Sequence, residues 1–205
     1  MAVILNASTS SGFVQSADTS GEIVLQNNGT TRLTVNSSGV TIPTLTTTTV
    51  TGTIVQGTAV ASTSGTAIDF TGIPSWAKKI TVLFSGVSTN GTNDIIMQLG
   101  DAGGFETTGY IGGVSNGLSS VFNSTSFVLV LEVLAASNFS GSVTVSNLTG
   151  NTWVSSGILA PNASSGMEYS GGSKTLSEVL TQIRITTVGS TNTFDAGTIN
   201  LQYEG

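Results

Sequence analysis

The chain has 205 residues, with no cysteine, no histidine, and five Lys and Arg against eleven Asp and Glu. Without imidazole or thiol, Ser-His-Asp and Cys-His catalysis, imidazole and thiolate metal sites, and disulfides are all excluded. The net charge is −6 and the cations are scattered apart from Lys78-Lys79, so nucleic acid and anionic membrane are not expected partners.

The opening Met1-Ala-Val-Ile-Leu-Asn lacks the basic segment and apolar core of a signal peptide, so synthesis without secretion is the expectation. Short β-favouring pieces follow, each closed by turn residues. Glu22-Ile-Val-Leu-Gln meets Asn27-Asn28-Gly29, Thr31-Arg-Leu-Thr-Val meets Asn36-Ser-Ser-Gly39, and Val40-Thr-Ile meets Pro43. Asn and Gly tolerate positive φ, which hairpin turns need. Each piece offers two or three apolar residues, too few for three strands to be stable alone. They must pack on the rest of the chain or intertwine with other copies. Thr44 to Thr53 reads as extended β, because Thr is β-branched and stiff. Residues 1–65 are therefore expected to be an extended β shaft or attachment region.

Residues 66–205 read as an antiparallel β-sandwich or jelly-roll head. Its strands are expected at Ala67–Phe70, Lys79–Gly86, Asp94–Leu99, Ser126–Leu134, Ser142–Leu148, Thr152–Ser155, Leu180–Thr187 and Thr198–Tyr203. Turns are expected at Asn90-Gly91, Gly103-Gly104, Gly112-Gly113, Asn116-Gly117, Ser140-Gly141, Gly171-Gly172 and Gly189-Ser190. Phe127-Val-Leu-Val-Leu does not alternate, which predicts a central strand or a subunit contact. Lys174 to Leu180, with Ser173 as N-cap, predicts a turn or two of helix. Trp76, after Pro74, is expected to fold back as a buried plug.

The segment Phe70-Thr-Gly-Ile-Pro-Ser-Trp-Ala-Lys-Lys-Ile-Thr-Val-Leu-Phe-Ser-Gly-Val-Ser-Thr-Asn-Gly-Thr resembles a stretch that opens the distal β domain of bacteriophage tail-fibre and related tail proteins. The closing Gly197-Thr-Ile-Asn-Leu-Gln-Tyr-Glu-Gly looks like the end of such domains, and the N-terminal pieces are similar to short β repeats of virion appendages. The resemblance implies a homotrimeric virion protein with a β-rich shaft, bound through its N-terminal region to other virion proteins, and a distal domain that contacts the host. A short fibre, a baseplate-associated fibre and a capsid decoration protein that stabilises the particle are the open placements.

No cofactor motif occurs, and no Walker loop. Sugar binding needs exposed aromatic platforms beside amides. Phe105 and Tyr110 between glycines, Trp153 beside Asn151, and Tyr169 are the candidates for a host surface polysaccharide. Paired carboxylates are the remaining enzymatic option, a small depolymerase using two of Asp94, Asp101, Glu106 and Glu168. Calcium would draw on Asn93, Asp94, Asp101 and Glu106. Solvated loop carboxylates and buried aromatics are the plainer readings, and no enzymatic activity is expected.

Overall fold

The β-branched runs do form strands, and the Gly and Asn clusters between most of them do turn the chain. The computed structural model describes residues 22–41, 54–131, 134, 135, 137–162 and 166–205. The Thr-rich stretch, Thr44 to Thr53, lies outside them. The chain is all-β with antiparallel sheets, no α-helix occurs among the described residues, and it divides into two units, residues 1–50 and 51–205.

The smaller unit holds an antiparallel three-stranded sheet, β1 (Ile23–Asn27), β2 (Thr30–Asn36) and β3 (Gly39–Thr41). Asn28 and Gly29 both take positive φ, 51° and 73°, as a two-residue hairpin turn requires. Ile23, Val24, Leu25 and Val40 stay exposed.

The larger unit begins earlier than the sequence suggests. β4 (Ile54–Gln56) and β5 (Val60–Ala61) pair with the last strand, β17 (Phe194–Glu204), so residues 54–65 belong with the head. The strands between are β6 (Ala67–Thr71), β7 (Lys79–Thr89), β8 (Ile95–Asp101), β9 (Gly104–Phe105), β10 (Tyr110–Ser115), β11 (Ser120–Asn123), β12 (Phe127–Val130), β13 (Phe139–Thr149), β14 (Thr152–Pro161), β15 (Glu168–Thr175) and β16 (Gln182–Thr187). They make two sheets. The larger runs β11-β10-β15-β14-β13-β7-β17-β4, and the smaller runs β12-β8-β16-β6 with β9 on β8.

Alternation explains the layering. Ile80 and Val82 of β7, Val143 and Val145 of β13, and Ile199 and Leu201 of β17 point inward from the larger sheet. They join Ile68, Phe70, Met97, Leu99, Ile183 and Ile185 of the smaller sheet in one core, as two stacked sheets require.

Several expectations fail for identifiable reasons. Gly112-Gly113 and Gly171-Gly172 are not turns. They lie in β10 and β15 and face each other in register, Gly112 against Gly172 and Gly113 against Gly171. The Phe127 ring sits over the inward pair, where a Cβ on Gly172 would come 3.0 Å from it and 2.5 Å from the Ile111 carbonyl. That close approach buries β12, although β12 is an edge strand of its sheet and not a central one. Its own chain covers it, so its burial requires no subunit contact. Ser173 to Thr175 continue β15, and the chain then bends, so the expected helix is absent. Trp76 is 41 % exposed against Gly205. The turn closed by Ala77 N–H to the Pro74 carbonyl (3.0 Å) directs Ala77 inward instead.

Candidate functional site

Cross-strand partners share a face, so the registers map the outer surface of the larger sheet row by row. One row reads Phe122, Gly113, Gly171, Ser156, Thr144, Thr81 and Gln202. Two glycines and three small hydroxyl residues make it low. On one side runs Ile111, Ser173, Val154, Ser146 and Lys79. On the other runs Ser115, Tyr169, Ile158, Ser142 and Leu83. Ile111 and Val154, facing Tyr169 and Ile158, stand above the floor as walls.

The result is a groove that crosses the strands. Its floor spans five strands, about 19 Å, and its walls lie about 13 Å apart along the chain. Ser142, Thr144, Ser156, Ile158 and Tyr169 line its middle. The Phe122 ring leans on Gly113, where a Cβ would come 2.9 Å from its Cδ1, and closes one end. Beyond it lies a second shallow recess lined by Ile111, Phe122 and Asn123. Tyr169 is 53 % exposed and Phe122 is 86 % exposed. At the margin of the face Lys79 and Glu204 pair at 2.9 Å.

Of the four aromatics expected to bind, Tyr169 stands in this groove. Tyr110 and Trp153 point into the sandwich from the opposite face, 2 % and 5 % exposed, which corrects their reading as exposed loop platforms. The Tyr110 hydroxyl accepts the Leu99 N–H at 2.7 Å and donates to the Glu106 carbonyl at 3.0 Å. Its ring meets Phe127 edge-on at 4.9 Å. Burial pushes its hydroxyl well above the ordinary tyrosine range. Phe105 is half-buried beneath the Arg184 guanidinium, 4.1 Å from the ring centroid, and Asp69 grips that guanidinium with two bonds of 2.7 Å. The structure therefore does not gather the four. Phe122 was missed because it follows Ser-Ser-Val in a stretch with no wider alternation. What could have found it is its position one strand away from a Gly-Gly pair.

The carboxylates divide between the two ends of β8. Asn93 and Asp94 precede the strand and Asp101 ends it, about 20 Å away by the rise of an extended chain. The four expected calcium ligands are thus not one site, and among the described residues no group of three or more Asp and Glu could hold a metal. Glu168 is buried on β15. Asp101 and Glu106 do converge. Ser177 Oγ lies 2.7 Å from Asp101 and 2.8 Å from Glu106, and the N–H groups of Gly103 and Glu178 bond Asp101. Lys174 pairs with Glu106, its ammonium 5.3 Å from the Tyr110 ring centroid. The Ser177 hydroxyl holds Asp101 below the usual carboxylate range against the cost of its burial. Burial raises Glu106, but Lys174 and the Ser177 N–H outweigh it and hold it low as well. Both carboxylates are engaged on every side, which suits a clamp between two loops better than proton transfer.

No family model, curated protein or solved structure matches the chain.

Proposed function

We propose that the chain is a virion structural protein, a short tail or baseplate fibre whose β domain adheres to a host surface glycan. The groove carries this reading. Glycans are neutral or weakly charged chains of hydroxyls and apolar C–H faces. A long, uncharged trough with a floor of Ser and Thr hydroxyls and an aromatic at wall and end matches both features. The resemblance of the Phe70–Thr92 stretch to tail-fibre proteins supports the placement on a virion.

The same reading takes the head as a jelly roll. The strand order supports it. Counting β4, β6, β7, β8, β12, β13, β16 and β17 as first to eighth, one sheet runs first, eighth, third, sixth, and the other second, seventh, fourth, fifth. Two interleaved Greek keys produce this order. The insertions β10–β11 and β14–β15 then widen the first sheet and build the groove on it. A homotrimer is supported by the small N-terminal sheet, whose exposed Ile23, Val24, Leu25 and Val40 lack a core of their own.

Adsorption to purified surface polysaccharide from the host tests the reading. Wild-type chain should be retained, and Tyr169→Ala should lose about tenfold in affinity, since a stacked aromatic contributes roughly 1–2 kcal/mol. Failure of wild-type chain to adsorb would leave the decoration placement as the better account.

A further inference from the structure

Three kinds of side chain meet in the groove, and each suits a different part of a sugar. The Ser and Thr hydroxyls of the floor exchange hydrogen bonds. Tyr169 and Phe122 present flat rings, which match the flat C–H face of a pyranose. The walls add branched aliphatic chains. Val154 and Ile158 stand on β14 to either side of Ser156, and Ile111 continues the Val154 wall two strands away. All three are exposed. Single exposed aliphatics are ordinary on any surface, but three on the facing walls of one groove form a patch that gains by being covered. Of the residues in the floor and wall rows, Lys79 is charged, and Glu204 holds it at 2.9 Å.

Resting on the glycan reading of this groove, we infer that its ligand is a neutral glycan bearing methyl groups, which seat against Ile111, Val154 and Ile158 while Tyr169 and Phe122 stack on ring faces. A branched aliphatic chain has no flat face to stack with. It gains from a small apolar group lodged against it, and on a sugar that group is a methyl. A hydroxyl in the same place would lose its water with no partner among these carbons, and a carboxylate would lose more. The net charge of −6 also repels an acidic polymer. The methyl has two sources, C6 of a 6-deoxyhexose or an O-acetyl ester, and both present the same chemistry to the walls.

The test is an array of bacterial surface glycans matched in backbone and linkage, each in hexose, 6-deoxyhexose and hexuronate form, with O-acetylated samples before and after mild alkali. Alkali cleaves the ester and leaves the C6 methyl. Wild-type chain is expected to bind the methyl-bearing forms at least about fourfold more tightly than the plain hexose, the effect of burying one methyl, and to bind the hexuronate most weakly. A preference lost on alkali treatment assigns the methyl to the ester, and one that survives assigns it to C6. Val154→Thr with Ile158→Thr puts hydroxyls in the walls while keeping β-branched residues. It should bring the ratio of methyl-bearing to hexose binding toward one at an unchanged thermal midpoint, and Ile111→Thr on β10 serves as a second variant if that pair folds poorly. Tyr169→Ala should weaken all forms together and leave the ratio in place. Hexose or hexuronate bound as tightly as the methyl-bearing forms would overturn the inference and leave the glycan reading standing, as would a ratio that the folded wall variants do not change. Retention of no form at all would overturn the glycan reading, and this inference with it.

Discussion

Asp101, Glu106, Lys174 and Ser177 tie the β8–β9 turn to the chain after β15, and their energetics are those of a buried pair. Lys174→Met would leave Glu106 partly buried without its cation, at a cost of about 2–3 kcal/mol, read as a lower thermal midpoint by calorimetry. Both carboxylates are held below their ordinary values in the folded chain. Their stabilisation is therefore complete above the unfolded carboxylate pKa, about 4, and is lost as pH falls through the lowered folded values. Thermal midpoints measured from pH 6 downward should hold steady and then drop below about pH 4. Asp101→Asn should flatten that drop. A midpoint that stays level to pH 2 would show that the cluster is not coupled to folding. Glycine position matters as much as charge. Gly172→Ala must push on the Ile111 carbonyl and the Phe127 ring and should destabilise by about 1–3 kcal/mol.

At the scale of elements, the strands that alternate or are rich in β-branched residues were legible: β6, β7, β8, β13, β16 and β17 lie where their runs of Ile, Val, Leu and Thr put them. β10 and β15 were not, because Gly112-Gly113 and Gly171-Gly172 read locally as turns. Only tertiary packing explains them: the glycines permit Phe127 on one face and leave the trough open on the other. The helix expected after Ser173 failed for a related reason. Lys174 looks like a solvated helix residue, but here it is buried by its pairing with Glu106, a partner 68 positions away that no local pattern reveals. Of the candidate site, the type of residue was legible and its location only at Tyr169. Tyr110 and Trp153 carry the same aromatic chemistry on the inward parity of their strands, and parity cannot be read until the strand is recognised.

At the scale of the whole molecule, few charges leave few surfaces on which charge could guide binding, so the proposed glycan recognition would rest on shape and neutral hydrogen bonds. The N-terminal sheet belongs to the same argument about assembly. If its exposed apolar residues meet other copies, the full chain should sediment as a trimer at micromolar concentration, and Leu25→Asp with Val40→Asp should shift it to smaller species. The groove is the central claim, and Gly171 tests it most directly. A Cβ there would meet only the Ser155 carbonyl, at an ordinary 3.6 Å, and its φ is not in the left-handed region. Gly171→Val should therefore fold as wild type while filling the floor. On an array of bacterial surface glycans, labelled wild-type chain should bind a defined subset, and Gly171→Val should lose at least about tenfold on that subset with an unchanged thermal midpoint. Equal binding by the two, or no retention of the wild type by any glycan, would contradict the account.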